Sequence, residues 1–70
     1  MSKTQRHTQL AQARAMLRLQ TARLKAAKAI LRTANRLKDS GMKSQAFRMM
    51  NRTRAQLTRT MIETRILLAA

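Results

Sequence analysis

The chain has 70 residues, of which sixteen are Lys or Arg and only Asp39 and Glu63 are acidic, giving a formal net charge of +14. It contains no Cys, Pro, Trp, Tyr or Val, so disulfides and thiolate–metal sites are excluded and Leu, Ile, Met and Ala must build any core. A chain of this size forms one small domain at most and needs a staple or a partner to bury much surface. These residues favour helix, so the expected fold is all-α.

Ser2 and Gln5 have the spacing of a capping box, and the apolar periodicity downstream of them predicts a helix from about residue 3 to 38. Within it, Leu10, Leu17, Leu24 and Leu31 recur every seventh residue. With these leucines at the first seam position, Ala13, Gln20, Ala27 and Ala34 take the second. The small side chains there admit close approach of a neighbouring helix. Met16, Ile30 and Leu37 widen the stripe. The other register would bury His7, Arg14, Thr21, Lys28 and Asn35, which desolvation penalises.

Beside the leucines runs a cationic row: Arg14, Arg18, Lys25, Arg32 and Arg36, with His7 before it and Lys28 alongside. The spacings keep these side chains within a narrow arc, and Arg14 to Arg36 spans about 33 Å at the helical rise. No acidic residue intervenes. Like charges four apart destabilise a helix, so a row of this kind calls for a compensating anion.

The segment "KDSGMKS", residues 38–44, is the one punctuation of the chain. Gly41 is the candidate for a left-handed closing residue, and Asp39, Ser40 and Ser44 are candidate caps for a second helix. A turn at about 39–41 and that second helix at about 42–68 are expected. A short link between long helices favours an antiparallel hairpin over an unbroken rod.

The second helix carries a stripe of Met42, Ala46, Met49, Met50, Leu57, Met61 and Leu68, interrupted by Thr53, Thr60 and Thr64. Its C-terminal end is apolar on several sides, through Ile62, Ile66, Leu67 and Leu68. One hairpin leaves part of this uncovered, so a homodimer packed as a four-helix bundle is expected. The packing residues expected for core and dimer are Leu10, Leu17, Leu24, Leu31, Met50, Leu57, Met61 and Leu68. Arg48, Arg52 and Arg59 are expected opposite the Met stripe, with Arg54 and Arg65 on a flank.

A strongly basic, Arg-rich domain points to a polyanion, with nucleic acid foremost. The nucleic-acid-binding candidates are Arg14, Arg18, Lys25, Lys28, Arg32, Arg36, Arg48, Arg52, Arg54 and Arg59. Single-strand binders offer aromatic platforms, and Phe47 is the sole aromatic here. A duplex is therefore favoured, and double-stranded RNA above DNA, because A-form RNA is read through shape and backbone. The two acidic residues fall on different elements and His7 lacks an orienting partner, so catalysis is not expected, nor is any metal or cofactor. No apolar run is long enough to span a bilayer, and an intracellular, cytoplasmic location is expected.

In its two amphipathic stripes, "KDSG" break and Arg rows, the chain resembles two groups of small helical RNA binders. One is the plasmid Rop-like regulators, hairpins that dimerise into four-helix bundles. The other is the nodavirus-type suppressors of RNA silencing, whose helical dimers lie along double-stranded RNA. The second resemblance implies binding to duplex RNA independent of sequence. Alternatives from other classes are an inhibitor or adaptor docking its basic face on an acidic protein, a DNA-binding or ribosomal structural protein, and a membrane-disrupting cationic helix.

Overall fold

A computed structural model describes residues 2–69 of the chain. Two helices, α1 (Lys3–Leu37) and α2 (Ser40–Ala69), pack against each other as an antiparallel hairpin, a rod 53 × 14 × 12 Å in extent. Among the described residues, no helix is long and apolar enough to cross a membrane.

The capping box is present at the start of α1. The Gln5 N–H donates to Ser2 Oγ at 3.2 Å and the Ser2 N–H donates to Gln5 Oε1 at 3.3 Å, so two amides that the helix itself leaves unpaired are satisfied. At the other end the chain departs from expectation. The left-handed residue is Lys38, at φ 55 and ψ 38, and no glycine has a positive φ. The Asp39 N–H reaches back to the Ala34 carbonyl at 3.0 Å, and the Lys38 N–H to that of Asn35 at 3.3 Å. This is the Schellman pattern with a lysine where glycine is usual. Gly41 instead lies in the first turn of α2, and Asp39 caps that helix by accepting the Met42 N–H at 3.0 Å. The physical reason is local. Asp39 captures an amide of α2, so α2 must begin at Ser40, and the reversal is pushed back onto Lys38.

The hairpin is held by a heptad seam. On α1 the covered positions are Leu10, Ala13, Leu17, Gln20, Leu24, Ala27, Leu31 and Ala34, with Ala27 and Ala34 fully buried and the leucines half-buried. The leucines alternate with small residues as the sequence leads one to expect. Ala46, Met50, Thr53, Leu57, Thr60, Thr64 and Leu67 answer from α2.

The α2 stripe needs correcting. Within the single hairpin, Met61 and Leu68, expected to pack in the core or the dimer, are 49% and 54% exposed and so stand outside its core, as does Met49, whereas Thr53 and Thr60 are buried. Threonine enters because its hydroxyl finds a partner without leaving the helix. Thr60 Oγ1 donates to the Gln56 carbonyl at 3.0 Å and Thr64 Oγ1 to that of Thr60 at 2.7 Å. With the polar atom satisfied, the methyl group is free to pack. A seam of Ala and Thr admits two backbones closely but covers little apolar surface, and no large side chain is fully buried.

Candidate nucleic-acid interface

The seam sorts the remaining side chains onto two faces and the outer backs of the helices. With Leu10 at heptad position a and Ala13 at d, positions e and b of α1 lie on one side of the hairpin and positions g and c on the other. In an antiparallel pair e faces e and g faces g, so each helix contributes the same letters to each face.

The e and b face carries Arg14, Arg18, Lys25, Lys28 and Arg32 from α1, with Arg54 and Arg65 from α2. All seven are exposed. His7 lies at the same edge. Neither acidic residue is on this face: Asp39 is in the turn and Glu63 lines the opposite groove. The two-residue reversal between Leu37 and Ser40 sets the register, and Arg6 hydrogen-bonds the carbonyls of Leu67 and Leu68 at the far end. That register places Arg54 between Arg18 and Lys25 along the rod and Arg65 beyond Arg14. The seven cations then succeed one another over about 30 Å, roughly one for every 5 Å of axis.

Of the ten candidates from the sequence, the fold therefore gathers six on this face: Arg14, Arg18, Lys25, Lys28, Arg32 and Arg54. Arg36 and Arg48 are exposed on the outer backs of their helices. Arg52 and Arg59 belong to the other face, and Arg59 lines a groove there together with Gln12, Met16, Glu63 and Ile66. Arg48, Arg52 and Arg59 share one arc of α2, as spacings of four and seven require, but that arc lies on the outer back and the g and c side, away from the e and b face. Arg65 joins the basic face as the eleventh cation of interest.

One further cation serves the fold. Arg6 Nε donates to the Leu67 carbonyl and its Nη2 to the Leu68 carbonyl, both at 3.1 Å. These carbonyls end α2, which has no basic residue in its own last turn. Arg6 supplies that positive charge from the neighbouring helix, where the negative end of the helix dipole favours it. Its heptad position, one repeat before Ala13, is the signal by which the sequence marks it as inward-facing.

The g and c face is different in kind. A groove of about 630 Å³ opens between the helices near the chain termini, walled by Gln9, Met16, Gln56 and Ile66 and floored by Ala13, Gln20 and Thr60. Towards the turn the same face carries Ile30, Leu37, Met42 and Met49. Among the described residues no group of three or more His, Cys, Asp or Glu side chains converges as a metal site would require. The basic face offers electrostatic and hydrogen-bonding contacts through guanidinium and ammonium groups.

No family model, curated protein or solved structure matches the chain.

Proposed function

We propose that the protein is a non-enzymatic binder of double-stranded RNA that engages phosphates through the e and b face, independent of base sequence. The observation that carries this reading is the run of seven exposed cations with no acid among them on one side of a straight rod. Cations at this density repel one another and lower the stability of both helices. A polyanion lying along the rod removes that penalty and releases its own condensed counterions. Arg provides five of the seven, which suits the bidentate geometry of phosphate oxygens.

A regular duplex fits a straight row better than a flexible strand does, and without Trp or Tyr there is no succession of platforms for splayed bases. A-form RNA presents backbone and 2′-hydroxyl groups across a broad minor groove. The resemblance to nodavirus-type suppressors supports the same reading and implies a role in suppressing RNA silencing. The chain acts as a homodimer in this proposal, as do both groups that it resembles.

Gel-shift titrations with length-matched double-stranded RNA, double-stranded DNA and single-stranded RNA test it. The expected order is duplex RNA tightest, with affinity falling steeply as salt rises. Equal affinity for duplex DNA removes the RNA preference. Stoichiometric capture by an acidic protein that duplex RNA fails to compete away replaces the proposal with an adaptor role.

A further inference from the structure

We infer that Phe47 forms a stacking seat for one unpaired base of an otherwise double-stranded RNA, between cations that hold the neighbouring phosphates. The inference deepens the proposed function and rests on it, because the e and b face is what brings the duplex to the ring.

Phe47 is the sole aromatic residue of the chain, and the seam does not use it. The neighbouring seam positions belong to Ala46 and Met50, which are buried, whereas Phe47 is 44% exposed. It follows Ala46 directly, which sets it at heptad position e of α2, on the same side as the seven cations. The reversal between Leu37 and Ser40 makes Phe47 level with Ile30 of α1. Lys28 and Arg32, both exposed on this face, therefore stand about 3 Å to either side of it along the rod. The exposed amides of Asn35 and Asn51 flank the same end of the face.

An aromatic ring set within a row of cations matches the two parts of a nucleotide. The ring offers a flat face to a base, and the cations on either side neutralise the phosphates that flank it. Leucine at this position would cover the seam as well but would offer no flat face. Stacking tolerates any base, in keeping with binding that ignores sequence. A paired base is covered above and below by its neighbours in the helix, whereas a base in a bulge is free to swing out onto the ring. One ring seats one base. That is why a duplex with a single unpaired nucleotide fits this face and a single strand, which needs platforms in succession, does not. Asn35 and Asn51 supply donors and acceptors for a base edge or a ribose hydroxyl beside the ring.

Three RNA duplexes of equal length test the seat in gel-shift titrations with the full chain. One is fully paired, one has a single unpaired adenosine at its centre, and one has an abasic unit in place of that adenosine. The abasic duplex shares the flexibility of the bulge and lacks the base. The wild-type chain is expected to bind the adenosine-bulged duplex about tenfold more tightly than either of the others. Phe47→Leu is expected to bring all three within about twofold while leaving affinity for the paired duplex unchanged. Because the chain has no Trp, Phe47→Trp introduces a unique indole. Its fluorescence is expected to be quenched strongly by the adenosine-bulged duplex and little by the other two. Ile62→Trp, on the outer back of α2, is expected to respond to none of them. If circular dichroism shows Phe47→Leu unfolded, Phe47→Met removes the ring in its place.

Equal wild-type affinity for the adenosine-bulged and abasic duplexes overturns the stacking inference and leaves the phosphate-binding reading intact. So does a preference that survives in a folded variant without the ring, or a variant weakened equally toward all three duplexes, which would make Phe47 a residue of the fold alone. A wild-type chain that binds none of the duplexes overturns the phosphate-binding reading and the seat built on it.

Discussion

Arg6 and Leu67 are sixty-one residues apart in the chain and joined by a hydrogen bond of 3.1 Å from guanidinium Nε to backbone carbonyl. With the companion bond to Leu68, this one side chain ties the start of α1 to the end of α2 at the open end of the hairpin. Arg6→Gln removes the charge and the forked geometry. It is expected to lower stability by about 1 kcal/mol, a fall of roughly 4–8 °C in Tm for a domain of this size. Hydrogen exchange should accelerate in the last turn of α2 more than in its middle.

Lys38 occupies the left-handed region at the end of α1. For an L-residue with a Cβ that conformation costs about 1 kcal/mol, which glycine avoids. Lys38→Gly is therefore expected to raise the midpoint of urea unfolding, and Lys38→Val to lower it. A loss of stability in Lys38→Gly would mean that the lysine side chain contributes more to this turn than its backbone costs.

Gly41 gives the opposite result from the one its sequence context implies. It sits in the first turn of α2 without a positive φ, and a Cβ added there meets Asp39 Oδ1 at an ordinary 3.5 Å. Gly41→Ala is expected to stabilise by about 0.5 kcal/mol through reduced backbone entropy of the unfolded chain. Had Gly41 closed α1, the same substitution would destabilise.

The seam is tested by enlargement as well as by charge. Ala27 has no exposed surface, so Ala27→Leu forces the helices apart and is expected to cost about 1–3 kcal/mol. Leu24→Asp desolvates a charge beside it and is expected to cost more. Both are read by chemical denaturation. An unchanged midpoint in both would show that the helices do not pack through these positions.

The hairpin, the capping box and the Leu–Ala seam of α1 were legible in the sequence because each is a local or strictly periodic signal: a cap and its reciprocal partner, a seven-residue repeat, one cluster of turn formers. What was hidden depended on competition between neighbours. Asp39 and Gly41 both fit a boundary, and only the hydrogen bond from the Met42 amide decides that the carboxylate sets it. Hydropathy likewise ranks Met61 above Thr60, yet Thr60 takes the seam position and is buried, with its hydroxyl satisfied by the Gln56 carbonyl. That choice shifts the centre of the α2 seam towards the threonines, and Arg52 and Arg59 stand on the g and c side, away from the basic face. The α1 row was readable from Arg14 to Arg32 because no such competition exists along it, while Arg36 falls on the outer back of the helix.

The central claim is that position on the rod, and not total charge, decides which cations meet the polyanion. Two triple variants with the same net charge separate these possibilities: Arg14, Arg18 and Arg54 to Gln on the e and b face, and Arg23, Arg52 and Arg59 to Gln on the g and c face. The salt dependence of duplex RNA binding is measured for each beside the wild type. The first triple is expected to bind at least tenfold more weakly at moderate salt and to flatten the logarithmic salt slope by about 2–3, near one for each phosphate no longer neutralised, while the second stays close to the wild type. Equal losses of affinity and slope in the two folded variants would contradict the claim.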